Sequence, residues 1–344
     1  MLVDLALVGF GNVGRRFARL LEERRDRLAH DYDLTCRVIG VSTRRHGALS
    51  RSDGLDAVAA AQVIEAGGVL KELGELAPGS ADVIDALARS SAPLRVLVET
   101  TTLDIVAAQP ARDHVKRALE TGCHVVTANK GPAAFAYREL AELAAHNDVS
   151  FLFEGAVMDG IPVFNLVRET MPTVTIEGFR GVVNSTTNHI LTALESGDEY
   201  APALAHMQAQ GIAEADPSLD VDGWDAAAKA AALANVLLDA GITPRDVDRT
   251  GIGPSTAAWA REARGRGHRV RLVASAQRGS RPVVAPVELP ENDLLAGLQG
   301  MANALALETD TLGRVVISQL DGGLTHTAYA LLSDLITVRR RAGE

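Results

Sequence analysis

The stretch LVDLALVGFGNVGRRFARLLEE, residues 2–23, decides the fold. A short run rich in Leu and Val enters Gly9, Gly11 and Gly14, and behind them apolar residues recur at helical period. That order is strand, turn, helix, and it is the context that gives the GxGxxG spacing of Gly9, Phe10, Gly11, Asn12, Val13 and Gly14 a physical meaning. The first glycine allows a tight turn, the second lets backbone approach a pyrophosphate, and the third permits close helix packing, with the helix N-terminus facing the phosphates. A purely structural turn in an α/β domain is the alternative.

The pattern repeats down the chain. CRVIGVSTRR (36–45), VLVETTT (96–102) and HVVTANK (124–130) are apolar runs that end in polar residues, with helical stretches such as DHVKRALETG and AFAYRELAELAAHN around them. Strands alternating with helices imply a mostly parallel, doubly wound sheet. Ligands of such sheets bind beyond the carboxyl ends of the strands, which singles out Gly9 to Gly14, Thr100 with Thr101, and Asn129 with Lys130. A lysine ending VVTANKGP sits where a nicotinamide or its substrate should lie; without that positional argument it would be read as a surface lysine in a turn.

The second strand decides between dinucleotides, because an acid at its end would hold the ribose 2′-OH of NAD. Here stand Ser42, Thr43, Arg44 and Arg45, with no acid until Asp53. Two guanidiniums suit a 2′-phosphate, so NADP is favoured over NAD. Solvated surface charge is the other reading of the two arginines.

Beyond residue 150 the texture changes. VTIEGFRGVVNSTTNHILTAL reads as a strand leading into a helix, RVRLVASAQ and PVVAPVELP as sheet strands, and TAYALLSDLITVRR as a last helix, with REARGRGHR (261–269) a surface connection. The expected division is a dinucleotide-binding domain over 1–150, on which helix 325–344 packs back, and a second domain over 151–324.

Composition narrows the partners. With 344 residues, 47% hydrophobic and 23% charged, the chain can bury two sizeable cores. A net charge of -10 without a Lys/Arg stripe argues against nucleic acid or an anionic membrane and leaves a small molecule as the expected partner. Cys36 and Cys123 lack CxxC spacing and read as reduced, buried thiols. No signal-peptide pattern and no apolar run of roughly 20 residues is present, so the expected location is the cytoplasm.

GIAEADPSLDVDGWDAAAK (211–229) crowds Glu214, Asp216, Asp220, Asp222 and Asp225 ahead of one lysine. An EF-hand register starting at Ser218 fails, because its twelfth position is Lys229 where a bidentate Glu is required. An exposed helix start with Asp222 as N-cap is a second reading. Against it, Lys229 is the only charge between Asp225 and Asp239 in a helix apolar on every side, and such a helix is buried. A buried ammonium must pair with Asp225 or look into a polar cavity, which makes a site for a small amine-bearing substrate the better reading.

These residues resemble the homoserine dehydrogenase family: GxAExDPxxDVxGxDxxxK is similar to its signature, and VVTANKGP (125–132), EGAVMDGIPVF (154–164) and VVNSTTNHIL (182–191) resemble other segments of it in the right order. The resemblance implies a Rossmann-type doubly wound nucleotide-binding domain plus an α+β catalytic and dimerisation domain, in the short form without aspartate kinase or ACT parts. It implies NAD(P)-dependent interconversion of L-homoserine and L-aspartate 4-semialdehyde, by a homodimer. The matching lysines, Lys130 and Lys229, are the implied catalytic pair. Glu214, Asp220 and Asp225 are implied to bind substrate or orient Lys229, with Thr187 and Gly160 also on the substrate. A monovalent cation, Na+ or K+, is implied at Glu154, Val157 and Asp159. Met158 and Asp159 stand where the family has glycine, and His326 where it has proline; the first departure keeps open a relative acting on another small hydroxy or amino acid. A cofactor-binding sensor without catalysis is the third reading, and retention of both lysines speaks against it.

Overall fold

β1 (Leu2–Val8) is covered on both faces, which is why its sequence is nearly continuous apolar rather than alternating. Its one charge, Asp4, is buried and takes two hydrogen bonds from Arg37, Nε at 2.8 Å and Nη2 at 2.9 Å. The computed structural model describes residues 1–209 and 216–343, and among them two units separate: Met1–Pro132, Ala136–Phe164 and Gly323–Glu344 in the first, Ala133–Phe135 and Asn165–Gly322 in the second.

In the first unit β1 lies beside β2 (Thr35–Ser42), with β3 (Ala48–Ser50), β4 (Leu76–Ala77), β5 (Leu94–Glu99), β6 (His124–Thr127) and β7 (Phe151–Leu152) completing one sheet in the order β4-β3-β2-β1-β5-β6-β7. The strands β2-β1-β5-β6-β7 are parallel, and β3 and β4 add an antiparallel edge. The order reverses at β1, whose neighbours are β2 and β5, and the carboxyl ends of β1 and β5 form the switch point where sheets of this kind take their ligands. The alternating pattern thus does produce a doubly wound sheet. Phe17 and Leu20 of the helix Asn12–Glu23 share a core with Leu331, Leu335 and Val338 of the last helix, Leu324–Arg341. Arg16 Nε also donates to Thr325 Oγ1 at 3.0 Å.

The second unit holds β8 (Ile176–Val182), β9 (Asp248–Arg249), β10 (His268–Gln277), β11 (Val283–Pro290), β12 (Asn303–Thr309) and β13 (Gly313–Gln319), ordered β13-β12-β8-β10-β11-β9. All of these pairs are antiparallel except β11 with β9. Helices Ser185–Glu195, Trp224–Leu237 and Pro254–Gly265 pack on it, making this unit α+β. REARGRGHR is a surface connection only at its centre, where exposed Arg266 and Gly267 turn; Ala257, Ala260 and Ala263 form a buried stripe at helical spacing, so its first half ends a helix, and His268 already begins β10. The hairpin of β12 and β13 is a pair of strands that the sequence reading did not mark out. Among the described residues no helix is long and apolar enough to cross a membrane.

Leu331 is fully buried in the first unit's core. Leu331→Ala should lower stability by about 2–5 kcal/mol in urea unfolding; a loss under about 1 kcal/mol would show that the last helix adds little to this core.

Candidate active site

The three glycines differ in what surrounds them. Gly9 has φ +86°, and a Cβ there would lie 2.7 Å from Thr100 O and nearer still to Thr101 N, so only glycine lets the turn touch the loop after β5. At Gly11 a Cβ would meet nothing nearer than Gly9 O at 3.8 Å, which leaves that backbone open to a ligand. At Gly14 a Cβ would come within 3.1 Å of Thr100 Oγ1 and 3.2 Å of Gly9 O, so the third glycine seats the helix against the turn. Phe10 is buried in the core and Val13 packs against it. Gly11 caps the helix without a side-chain bond, and exposed Asn12 accepts from Arg15 Nη2 at 2.7 Å.

Beyond β2 a tight loop turns on Thr43, whose N donates to Gly47 O at 2.9 Å and whose Oγ1 accepts from His46 N at 2.7 Å. The loop presents Arg44 and Arg45 to solvent. Between Ser42 and Asp53 the sequence carries no acid.

Beyond β5 and β6 the polar residues interlock. Thr100 Oγ1 donates to Gly9 O at 2.7 Å. Glu99, fully buried, accepts on Oε1 from Thr101 N at 2.8 Å and from the Thr101 hydroxyl, and on Oε2 from Thr127 Oγ1 at 2.8 Å. Burial pushes its carboxyl up to about 7, against the opposing pull of these donors. Thr127 Oγ1 in turn accepts from Asn129 N at 2.9 Å, and Asn129 Nδ2 donates to Thr101 O at 3.0 Å. Asn129 Oδ1 takes Gly131 N at 2.9 Å and so caps the helix that begins at Lys130. Glu99 was missed in the sequence, although an acid closing the apolar run VLVE was a signal.

Further along this unit, Glu154 Oε1 accepts from Val163 N at 2.6 Å and Phe164 N at 2.9 Å, while its own N donates to buried Asp334 Oδ2 at 2.8 Å. Val157 and Met158 are buried. Asp159 has φ +47° and accepts from Thr327 Oγ1 at 3.1 Å. A Cβ on Gly160 would stand 2.7 Å from His326 O, so the loop lies against the start of the last helix. Among the described residues no cluster of three or more His, Cys, Asp or Glu could hold a metal.

In the second unit the lysine of the apolar helix has the partners its burial demands. Lys229 Nζ lies 3.0 Å from Asp225 Oδ2 and donates to Val183 O at 2.6 Å. Nearly every other residue of that helix from Ala226 to Leu237 is buried. Asn184 Nδ2 donates to both acids, to Asp220 Oδ1 at 2.7 Å and Asp225 Oδ2 at 2.9 Å. Its Oδ1 accepts from Thr187 N and Thr187 Oγ1, both at 2.8 Å, so the fully buried Thr187 fixes the amide. Asp220 is held above the usual carboxylate range, first by burial and then by the Asp225 charge. Asp216 takes Ser218 N at 3.1 Å in a turn, and Asp222 closes the short helix Ser218–Val221. The long helix is capped by Gly223 at φ +79°, not by Asp222. Glu214 lies outside the described residues. The cluster thus joins Asp220, Asp225 and Lys229 through Asn184, a residue the sequence reading passed over although it caps NSTTNHIL.

An acid raised in the folded state keeps its proton there over a pH interval in which the unfolded chain has already released it. Stability therefore falls as pH rises from about 4 through that interval. Asp220→Asn should accordingly be more stable than the parent at pH 8, with the gap closing toward pH 4, in urea unfolding at both pH values. A gap that widens on acidification would contradict the assigned cause.

Known proteins align with both units. Residues 9–154 match the family described as homoserine dehydrogenase, NAD binding domain, and residues 162–336 the family described as homoserine dehydrogenase. A relative from Pseudomonas canavaninivorans, an NAD(+)-dependent homoserine dehydrogenase, is 37% identical over 98% of this chain and 96% of its own length. The homoserine dehydrogenase of Methanocaldococcus jannaschii is 35% identical over 98% of each chain. A hyperthermophilic archaeal homoserine dehydrogenase solved in complex with NADPH superposes with a TM-score of 0.81 at 32% identity, covering 98% of each chain.

Proposed function

The chain belongs to the homoserine dehydrogenase family, and on that premise we propose that it interconverts L-homoserine and L-aspartate 4-semialdehyde with a nicotinamide cofactor. The observation that carries the reading is the Lys229–Asp225–Asn184–Asp220 cluster, an ammonium and two carboxylates held by one amide in an otherwise apolar setting. Reduction of the aldehyde moves a hydride to the carbonyl carbon and leaves negative charge on oxygen. A positioned ammonium stabilises that charge and supplies the proton; in the reverse direction its neutral amine accepts it. We assign this work to Lys229 with Lys130, and the substrate's own ammonium to Asp220 and Glu214. Asp225 orients Lys229. Gly160 and Thr187 are proposed on the substrate side, Thr187 acting through Asn184.

Gly9 to Gly14 fit a dinucleotide, since the open backbone at Gly11 supplies room where the other two glycines supply close packing. A nicotinamide held there would supply or accept the hydride, and Phe10, Val13, Thr100 and Thr101 would shape its seat. NADP is preferred, on the support of Arg44 and Arg45 and the lack of an acid at the end of β2. The NAD(+)-dependent relative supports the other preference and the NADPH-bound structure this one. For a monovalent cation, Glu154 Oε1 is engaged by two backbone N–H groups, so the proposed site relies on backbone oxygen near Val157, with Asp159 adjacent. Exposed Leu312, Val316 and Leu320 on and beside β13 support a homodimer. Cytoplasmic location and a small-molecule partner complete the proposal.

Purified protein should reduce NADP+ or NAD+ in the presence of L-homoserine at alkaline pH, and Lys229→Ala should lower kcat about 10²- to 10⁴-fold while leaving cofactor affinity intact. Absence of homoserine oxidation in protein that binds the cofactor tightly would remove this function. Replacing Arg44 and Arg45 together by Ala should weaken NADP+ by about tenfold or more and spare NAD+; equal losses for the two cofactors would refute the 2′-phosphate assignment.

A further inference from the structure

Both loops that follow β5 and β6 hang on the two carboxylate oxygens of Glu99. Resting on the cofactor site proposed above, we propose that Glu99 is a positioning residue for that site: its buried carboxylate clamps Thr101 to Thr127 and thereby sets the register of Thr101 and of the helix start at Asn129 and Lys130.

The chemistry of the clamp requires two acceptors. Thr101 offers a backbone N–H and a hydroxyl to one oxygen, and Thr127 offers its hydroxyl to the other. Thr127 Oγ1 already receives Asn129 N, so its single hydrogen is directed at Glu99. A carboxylate satisfies both sides at once. A glutamine keeps one acceptor oxygen for Thr101 and turns an N–H toward Thr127 Oγ1, and a glutamic acid protonated on Oε2 turns an O–H toward it; in either case the Thr127 bond reverses and its hydroxyl hydrogen must leave Glu99 for another direction. From Thr127 the chain continues through Asn129, whose side chain spans Thr101 O and Gly131 N. Thr100, adjacent to Glu99, bonds the glycine turn through its hydroxyl. Moving Glu99 therefore disturbs the turn side and the lysine side together.

A residue kept only for stability would not be this one. The influences on its titration are burial and the three donors just named, and burial prevails, so ionised Glu99 lowers the stability of the folded chain. Its raised folded-state value means that this cost grows as pH rises from about 4 toward 7 and is constant above. An uncharged replacement removes the cost. The carboxylate earns its place only if the geometry it imposes is used.

The test compares parent, Glu99→Gln and Thr127→Val in the full chain, with NADH as probe because it has no 2′-phosphate to titrate. Urea unfolding at pH 8 should find Glu99→Gln no less stable than the parent, while fluorescence titration finds NADH bound roughly tenfold more weakly, because the two loops then hold the binding arrangement for only about a tenth of the time. Thr127→Val should weaken NADH in the same direction, and the double variant no more than the worse single one. Parent affinity should fall as pH drops through about 7, and Glu99→Gln should lack that limb. NADH affinity within about twofold of the parent in both variants overturns the proposal. So does weaker binding that only mirrors a smaller folded fraction. If the parent binds NADH but does not oxidise homoserine, the proposed activity fails while these binding outcomes still decide the role of Glu99.

Discussion

No side chain can stand at Gly9, and most of the first unit's site follows from that exclusion. The carboxyl ends of β1 and β5 meet there so closely that a Cβ would press on Thr100 O and on the Thr101 amide. Because the strand ends meet, Thr100 Oγ1 reaches Gly9 O, and because both oxygens are there, a side chain at Gly14 would crowd them and push the helix back. Gly11 alone faces open space. One close backbone approach thus separates the three glycines into two that pack and one whose backbone stays uncovered, which a spacing rule by itself does not explain.

The second unit meets a different constraint, an ammonium in a helix whose other side chains are almost all buried. Removing such a charge from water is tolerated only when the partners are close and complete. Asp225 one turn earlier and Val183 O supply them. That solution creates its own difficulty, since Asp220 and Asp225 then lie near each other. Asn184 answers it by giving the two hydrogens of one amide to the two acids, and Thr187 holds that amide in place. The second unit's site is therefore a chain of compensations that starts from Lys229.

What was legible in the sequence was what period and helix burial determine. The glycine turn, the parallel alternation and the pairing of Lys229 with Asp225 could all be read, because each follows from local pattern or from the cost of an unpaired buried charge. Glu99 and Asn184 were not legible for the opposite reason: their importance lies in partners 28 and 41 residues away, Thr127 and Asp225. The ending of the helix within REARGRGHR failed on composition, since arginine and glycine suggested a loop while alanines at helical spacing kept the helix going to Gly265. Gly223 rather than Asp222 caps the long helix because the chain enters it in a left-handed conformation that glycine adopts freely.

Glu99 and Asp220 share a feature that bears on the whole reading. Each is an acid whose ionisation is opposed mainly by burial, so each makes the folded chain less stable than a neutral isostere would. Buried acids in simple structural roles are usually relieved by a cation, as Asp4 is by Arg37. Glu99 is met by hydroxyl and amide donors instead. Asp220 is met by an amide, with Lys229 a lesser influence than its like-charged neighbour Asp225. Such groups gain most from a further positive charge or donor brought by a ligand, whereas a relieved pair like Asp4 and Arg37 has little to gain. Burial thus leaves both acids incompletely relieved, Asp220 between the opposed charges of Asp225 and Lys229 and Glu99 among neutral donors.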